Sequence, residues 1–365
     1  MVKYSCEKCG KDFTQKGHYT QHVNRKNPCI SESKVKEIIE KVVVEKMNEM
    51  KYIPIIAPII APIVEPIPIV LPEAKEVNEE AKAEGKMRFI DLFCGIGSFH
   101  YSFKKLNWEC VMSCDIDAAA KETYKENYGI LPLGDITEIE PKDVPNYDIL
   151  CAGFPCQPFS QCGQHKGFDD KRGTLFFNIM KFVEHHKPKI IILENVQGLL
   201  NHDGGKTFDK IKQDIETANY AITYKVIKCS DYGLPQMRKR LIIVGIRNDT
   251  ELAKHIDKVL DFDEYKKETT LTELLGKNFE KKTAYTIRCG GKNSPIDDKH
   301  NWDGYMVDGK EYRLTKEDCL KIQGFDADFK LRGNKKDQWK QLGNTIPTVF
   351  TEIIGLNINK YLMMR

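Results

Sequence analysis

"MRFIDLFCGIGSFHYSFKKLNWECVMSCDID", residues 87–117, is the stretch that decides the fold. A first apolar run ends at Asp91, and a tight turn with Gly95 and Gly97 follows it. A run with apolar residues at helical spacing then leads into a second apolar run, which ends just before Asp115. Alternation of strand and helix periods is typical of a β-α-β unit. The sequence therefore predicts an α/β fold built on a Rossmann-like sheet.

The glycine turn and the acids that follow the strands indicate a nucleoside site. Glycines let the backbone approach a ligand, and an acid after the second strand, here Asp115, can accept both ribose hydroxyls. We expect Asp135, in "PLGDITEI", to end a third strand and to accept a hydrogen bond from an adenine amine. The third glycine of the dinucleotide fingerprint is missing, which favours a nucleoside without a pyrophosphate, such as S-adenosylmethionine.

A second motif, "CAGFPCQPFS", places a cysteine directly after a proline at the end of a predicted strand. Ligands bind at the carboxyl ends of strands in open α/β sheets, so Cys156 is expected at the site. Pro155 fixes its own φ and is expected to turn the thiol into the cleft. The next strand, in "PKIIILENVQG", brings Glu194 to the same edge, and "QMRKRLIIVG" contributes Arg238 and Arg240. The predicted catalytic residues are therefore Cys156, Glu194, Arg238 and Arg240.

Six motifs in order resemble those of the DNA cytosine-5 methyltransferases of the restriction–modification type. They are "DLFCGIG", "GFPCQPFS", "ENV", "QMRKR", "RLTKEDCLKIQGF" and "QLGNTIP", and the resemblance covers roughly residues 87–365. It implies transfer of a methyl group from S-adenosylmethionine to C5 of cytosine in double-stranded DNA. It also implies that the thiol of Cys156 attacks C6 of a base flipped out of the duplex, while Glu194 binds N3 and Arg240 holds the base carbonyl.

The resemblance also brings Asn344 and Thr345 of "QLGNTIP" to the cofactor. The chain departs from many relatives at Ile116, where they have an aromatic residue, so stacking on adenine is expected to be weaker. The complete predicted cofactor site consists of Phe93, Gly95, Ile96, Gly97, Asp115, Ile116, Asp135, Ile136, Pro155, Asn344 and Thr345.

The motifs divide the chain into four parts. Residues 87–245 and 313–365 are predicted to form the catalytic domain, and residues 246–312 the target-recognition region. That region contains "YTIRCGGKNSPIDDKHNWDGY", which is rich in polar residues able to read base edges. It is short for a recognition domain, so we expect a short target sequence. Residues 1–31 are predicted to be a zinc finger and residues 32–86 a helix followed by a proline-rich linker.

The amino-terminal segment has the ligand spacing of a zinc site. Cys6 and Cys9 form a C-x2-C pair, His22 follows after twelve residues, and Cys29 follows after six more. Three thiolates and one imidazole suit tetrahedral Zn²⁺, so the segment resembles a CCHC-type finger. His18 is the alternative fourth ligand, because it forms an i, i+4 pair with His22. Both DNA and protein remain possible partners of this finger.

The linker contains an apolar run, "IPIIAPIIAPIVEPIPIVLP" over residues 53–72, that is long enough to cross a bilayer. Its prolines are incompatible with a helix, so we predict no membrane span. The run is predicted to be a polyproline spacer of roughly 60 Å, and a docking site for a partner is the alternative. Before it, residues 33–51 carry apolar side chains at helical spacing. That helix can pack on a neighbour or form a weak dimer.

Composition sets the remaining bounds. The chain has 365 residues, of which 41% are hydrophobic, which suits one large α/β domain with an attachment. Its net charge of only +3 means that any nucleic-acid binding must come from local patches. The 12 cysteines are scattered and the amino terminus shows no apolar signal segment, so a cytoplasmic or nuclear protein is expected.

Two alternatives to DNA methylation stay open at this stage. The family has a tRNA-modifying branch that shares the thiol, Glu and Arg motifs, although the Cys-Phe-Thr stretch typical of that branch is missing here. A catalytically inactive DNA-binding module is the second alternative, although Cys156, Glu194 and Arg240 are all present. Transfer of label from S-adenosylmethionine to DNA, to tRNA or to neither separates the three.

Overall fold

The computed structural model describes residues 4–6, 12–13, 15–23, 86–155, 175–290 and 292–363. The chain divides into two compact units, Met1–Asn78 and Glu79–Arg365, which are described separately. Several predictions lie outside the described residues: the helix over 33–51, the spacer over 53–72, and the side chains of Cys9, Cys29 and Cys156.

The first unit contains a two-stranded sheet and a helix. Strands β1 (Tyr4–Ser5) and β2 (Asp12–Phe13) pair antiparallel, and helix α1 (Lys16–Val23) follows them. Cys6 is 3% exposed and His22 is 8% exposed, whereas His18 is exposed to solvent. Within the described residues, no group of three or more His, Cys, Asp or Glu side chains could hold a metal ion.

The second unit alternates strands and helices along the chain. Its elements are β3 (Arg88–Leu92), α2 (Ser98–Lys104), β4 (Glu109–Cys114), α3 (Ala118–Tyr128), β5 (Ile149–Gly153), α4 (Leu175–His186), β6 (Ile190–Asn195), α5 (Lys206–Thr217), β7 (Tyr220–Lys228), β8 (Lys239–Arg247), α6 (Ile256–Val259), α7 (Leu271–Leu275), β9 (Gly304–Val307), β10 (Lys310–Arg313), α8 (Lys316–Gln323), α9 (Lys335–Asn344) and α10 (Thr348–Leu362).

Six strands form the central sheet in the order β4-β3-β5-β6-β8-β7. Strands β4, β3, β5 and β6 are parallel, and β8 runs antiparallel to both of its neighbours. The carboxyl ends of β3, β4, β5 and β6 therefore meet at one edge of the sheet. This mixed sheet with helices on both faces confirms the predicted α/β class.

The central strands β5 and β6 are buried on both faces, because successive side chains alternate between two hydrophobic cores. In β5, Leu150 and Ala152 pack in one core together with α4 and α5. Ile149 and Cys151 pack in the other core together with α2 and α10. The near-continuous apolar runs in the sequence reflect this burial on both sides, which makes the sheet a rigid platform for the site at its edge.

A third hydrophobic core lies apart from the two sheet faces. It combines α7 and the hairpin β9–β10 with helices α8 and α9, around Trp302 and Trp339. Residues from both the predicted recognition region and the following catalytic segment contribute to it. The sheet itself extends to Arg247 in β8, two residues into the region that was predicted to begin at 246. The domain boundaries otherwise stay predictions.

One predicted strand is wrong. The segment before Asp135 makes only an isolated bridge, between Leu133 and Cys114, and is not a strand of the sheet. Asp135 instead caps a short 3-10 helix, Ile136–Glu138, and its Oδ1 accepts a hydrogen bond from Thr137 N at 2.9 Å. Proline and glycine flank the bridge and prevent a longer run of strand pairing. Among the residues described, no helix is long and apolar enough to cross a membrane.

Candidate active site

The turn after β3 adopts a conformation that depends on glycine. Gly95 has φ of +53° and Gly97 has φ of +85°, a region that other residues rarely adopt. A Cβ atom on Gly97 would also lie 2.4 Å from the ring of Tyr128. The backbone of this turn can therefore sit close to both the protein and a ligand, while Ile96 between the two glycines is buried.

A first cavity of about 670 Å³ opens beside this turn. That is a size typical of small-molecule sites. Its described lining residues are Phe93, Cys114, Asp115, Ile116, Gly134, Asp135, Ile136, Thr137, Glu138, Pro155, Leu175, Asn178 and Lys181. Ile116 is 79% exposed, so it forms an apolar lip that a planar ring can cover.

Asp115 stands between the glycine turn and the start of α3. Its Oδ2 accepts a hydrogen bond from Gly95 N at 2.8 Å, and its Oδ1 accepts one from Asp117 N at 2.8 Å. Burial raises the pKa of Asp115, although these two backbone donors oppose the rise. A carboxylate has about four acceptor positions, so roughly two remain for a ligand.

A second cavity of about 450 Å³ adjoins the first. The two cavities share four lining residues, Phe93, Asp115, Ile116 and Pro155. The second cavity is also lined by Gly95, Ile96, Asp117, Ala120, Gly153, Phe154, Glu194, Asn195, Val196, Arg238, Arg240, Lys340, Gln341, Gly343, Asn344 and Thr345. A ligand in the first cavity and a second reactant in the other can therefore meet beside Pro155.

Glu194 and Arg240 form a buried ion pair in the wall of the second cavity. Glu194 is the penultimate residue of β6 and lies opposite Gly153 of β5, and Arg240 lies near the start of β8. Arg240 Nε is 2.7 Å from Glu194 Oε1, with the two side chains 15% and 9% exposed. Burial raises the pKa of Glu194, and the charges of Arg240 and Arg238 oppose this rise without cancelling it. The carboxyl group therefore holds a proton to a higher pH than an ordinary Glu.

The segment that leads to Cys156 is held against the end of β6. Asn195 Nδ2 donates to Phe154 O at 2.9 Å, and Asn195 Oδ1 accepts from Val196 N at 2.9 Å. Pro155, the last described residue before Cys156, lines both cavities. Cys156 is bonded directly to it but lies outside the described residues.

Arg238, predicted as catalytic, makes its hydrogen bonds elsewhere. Although it lines the second cavity, it is only 2% exposed and donates to the carbonyl oxygens of Ile287, Gly343 and Thr345. Burial lowers its pKa to about 10, so the guanidinium stays charged at neutral pH. Arg238 therefore differs from Arg240, whose Nε meets the carboxylate of Glu194.

Some of the predicted cofactor residues come together and one does not. Asn344 and Thr345, at the end of α9, line the second cavity together with Gly95 and Ile96, although they are about 250 positions away in sequence. Gly97 lines neither cavity among the described lining residues, because it packs against aromatic rings.

An ion pair that was not predicted from the sequence lies at the rim of the second cavity. Lys340 Nζ lies 2.5 Å from Asp117 Oδ2, and both residues line the cavity. Lys340 precedes Asn344 by one helical turn, a spacing that puts the two on one face of α9. That spacing could have indicated from the sequence that Lys340 lies near the site, although not that Asp117 is its partner. The pair joins the start of α3 to the helix that carries Asn344.

Comparison with known proteins agrees with this architecture. Among solved structures, that of the Schizosaccharomyces pombe Dnmt2 methyltransferase superposes with a TM-score of 0.56 at 20% identity, covering 75% of this chain and 99% of that one. A protein encoded within an Escherichia coli prophage, described as a putative DNA modification methyltransferase, superposes with a TM-score of 0.57 at 18% identity, covering 76% and 99%. The fold is thus that of the α/β methyltransferases.

Sequence comparison identifies the family. The family model described as C-5 cytosine-specific DNA methylase matches residues 87–307 and 280–360. The type II methyltransferase M.HhaI of Haemophilus parahaemolyticus is 33% identical over 311 residues, which cover 76% of this chain and 95% of the relative. M.SsoII of Shigella sonnei is 35% identical over 298 residues, covering 72% and 77%. The chain belongs to the C-5 cytosine-specific DNA methylase family, and it is an S-adenosylmethionine-dependent DNA (cytosine-5) methyltransferase.

Proposed function

We propose that the chain methylates cytosine within a short sequence of double-stranded DNA, through a covalent bond between Cys156 and C6 of a flipped base. The observation that supports this most is the Glu194–Arg240 ion pair in the wall of the second cavity. Pro155 lines both this cavity and the first one. The ion pair provides an acid and a fixed positive charge next to the residue that precedes Cys156. A base inside a duplex cannot reach such a cavity, so it must leave the stack.

The residues of the first cavity fit S-adenosylmethionine. An apolar lip at Ile116 and two acidic side chains, Asp115 and Asp135, suit an adenine ring with a ribose. We propose that Asn344 and Thr345, which line the second cavity together with Gly95, hold the amino-acid end of the cofactor, since Gly95 lets the backbone come close. When bound, the cofactor supplies a methyl group on a positively charged sulfur.

Cys156 starts the reaction by nucleophilic addition. C5 of cytosine is a poor nucleophile until the thiolate adds to C6, which breaks the C5–C6 π bond and places its electron pair on C5. Pro155 lines both cavities, and we propose that the thiol of Cys156, the next residue in the chain, acts there. The addition therefore splits one difficult step into two easier ones.

Glu194 and Arg240 stabilise the negative charge that this addition produces. Glu194 donates a proton to N3, and its raised pKa favours the protonated form that this requires. Arg240 stays beside the carboxyl group through its Nε, and its Nη1 donates to Lys239 O at 2.8 Å, so we propose that its Nη2 binds the base carbonyl. Once C5 carries the methyl group, a base removes the C5 proton, the C5–C6 double bond forms again as the S–C6 bond breaks, and N3 returns its proton to Glu194 as Cys156 is released.

The proposed substrate is tested by following label from S-adenosylmethionine. We expect transfer to cytosine in duplex DNA, and sequencing of the methylated cytosines will show a short repeated target. Transfer to tRNA without transfer to DNA would contradict the proposal, as would a lack of transfer to either.

The target sequence is expected to change when residues of the region 246–312 are exchanged, and to stay the same when exposed residues of α5 are exchanged.

Asp115 provides the prediction on cofactor binding. Asp115→Ala is expected to weaken S-adenosylmethionine binding by about 1.5–3 kcal/mol, the scale of hydrogen bonds to a charged group. Titration calorimetry on the protein without DNA measures this. Asp143→Ala is the matched control, because Asp143 is exposed and lines neither cavity. If Asp115→Ala binds with unchanged affinity, the ribose contact lies elsewhere.

We infer further that residues 1–31 bind one Zn²⁺ through Cys6, Cys9, His22 and Cys29. Supporting this, β1, β2 and α1 have the order of a ββα finger, and Cys6 and His22 are buried. So small a segment needs a metal or a disulfide to hold a core. The exposure of His18 favours His22 over it as the helix ligand.

The zinc proposal predicts a ranking of variants. The full chain is expected to bind one zinc and to lose the fold of its first unit with a chelator, because metal binding is coupled to folding. Cys29→Ser is expected to lower zinc affinity much more than His18→Ala, as measured by competition with a chromogenic chelator. The opposite ranking would make His18 the fourth ligand, and no zinc in either variant or in the wild type would remove the site.

A further inference from the structure

Arg238 joins two segments that are far apart in the sequence. Its Nη1 donates to Ile287 O at 3.1 Å, inside the region 246–312. Its Nη2 donates to Gly343 O at 3.1 Å and to Thr345 O at 3.0 Å. One buried guanidinium thus binds the backbone of the predicted recognition region and the backbone on both sides of Asn344. Within the described residues, its Nε has no hydrogen-bond partner.

Two buried glutamines extend the same junction. Gln236 Nε2 donates to Ile322 O at 3.3 Å and to Gln323 Oε1 at 3.2 Å, while its Oε1 accepts from Ile287 N at 3.3 Å. Gln323 Nε2 donates to Leu342 O at 2.6 Å. Gln236 and Gln323 are both 0% exposed. A fully buried polar network of this kind specifies one arrangement of the segments it connects.

The two segments also touch through their backbones. A Cβ atom on Gly343 would lie 2.4 Å from Cys289 N and 2.5 Å from the carbonyl carbon of Arg288, so only glycine allows this contact. On the other side, Thr345 Oγ1 lies 2.9 Å from Ser98 Oγ, directly after the glycine turn. Contacts therefore run without a gap from the recognition region to the glycine turn of the cofactor site.

We propose that Arg238 is a positioning residue, which sets the backbone at Gly343–Thr345 for the cofactor and ties it to the recognition region, and that it takes no direct part in the chemistry. The inference rests on the proposed assignment of Asn344 and Thr345 to the cofactor site. The fork geometry of the guanidinium is the essential feature, because Nη1 donates to Ile287 O while Nη2 donates to Gly343 O and Thr345 O, and the single nitrogen of a lysine cannot occupy both positions. The charge by itself is secondary.

The test separates cofactor binding from turnover. Arg238→Met and Arg238→Lys are both expected to raise the Kd for S-adenosylmethionine by about tenfold, as measured by calorimetry without DNA. The KM for S-adenosylmethionine should rise by the same factor, while kcat at saturation should fall less than about threefold. The matched control is Arg247→Lys, at the other end of β8, where the guanidinium serves Asp249 and the carbonyl of Lys187. It should leave Kd, KM and kcat unchanged.

A second variant covers the case in which Arg238→Met fails to fold. Gly343→Ala keeps the guanidinium but pushes the 288–289 backbone away, and it should also raise the Kd for the cofactor. An unchanged Kd in Arg238→Lys and Gly343→Ala would overturn the proposal. So would a kcat loss on the order of a hundredfold with an unchanged Kd, because Arg238 would then act on the reacting base. A wild type that binds the cofactor but methylates nothing would contradict the proposed function alone, and the binding comparison would still decide the role of Arg238.

Discussion

Cys156→Ser is expected to abolish methyl transfer while leaving S-adenosylmethionine binding nearly unchanged. A serine hydroxyl is not ionised at neutral pH and is a much weaker nucleophile than a thiolate, so we expect no addition to C6. The residues proposed to hold the cofactor lie at the ends of β3, β4 and α9, and we expect them to keep their contacts in the variant. Turnover is measured by label transfer to DNA, and cofactor affinity by calorimetry.

A cysteine elsewhere in the chain provides the control for this prediction. Cys229→Ser changes a buried thiol that lines neither cavity. Burial raises the pKa of this thiol to about 12. It is expected to retain methyl transfer. Substantial turnover in Cys156→Ser would show that the thiol is not the nucleophile, whereas loss of cofactor binding would show that Cys156 belongs to the cofactor site.

Glu194→Gln is expected to lose most of the rate, by a factor on the order of a hundred to ten thousand, the range for a general acid. Glutamine keeps the size of the side chain and a hydrogen bond to Arg240, but it cannot give a proton to N3. Glu184→Gln is the matched control, because Glu184 is exposed on α4 and lines neither cavity. Single-turnover kinetics on duplex DNA measures both variants.

The pH dependence tests the same role. Because burial raises the pKa of Glu194, the protonated fraction is complete well below that pKa and is lost as the pH rises through it. The wild-type rate should therefore gain a descending limb above the raised pKa, and the glutamine variant should lack this limb. A glutamine variant with the same descending limb and a nearly normal rate would assign the proton donor to another group.

The sheet and the positions of its strand ends could be predicted because they follow from local patterns. Apolar runs predicted four successive strands that correspond to β3, β4, β5 and β6, and the ends predicted at Asp91 and just before Asp115 lie within one residue of the ends of β3 and β4. The family resemblance then named residues such as Glu194 and Arg240 from short motifs. The strand predicted before Asp135 was wrong. The segment "LPLG" pairs with the sheet at one position only, and the apolar pattern does not show how many positions of a segment will pair.

The role of Arg238 could not be predicted from its motif. Arg238 and Arg240 are two positions apart, and residues at this spacing in a strand point to the same side. The sequence therefore suggests the same function for both. The structure separates them through partners that are distant in sequence, such as Gly343 for Arg238. Likewise, the pairing of Lys340 with Asp117 depends on where α9 packs, which no local pattern contains.

The most direct test of the central claim is to trap the covalent intermediate. Duplex DNA that carries 5-fluorocytosine at the target position has no C5 proton to remove, so the S–C6 bond cannot break after methylation. Incubation with S-adenosylmethionine should give a complex that survives denaturing electrophoresis, and mass spectrometry of its peptides should place the modified base on Cys156. A stable adduct on any other residue, or turnover on ordinary DNA without any adduct on the fluorinated DNA, would contradict the account.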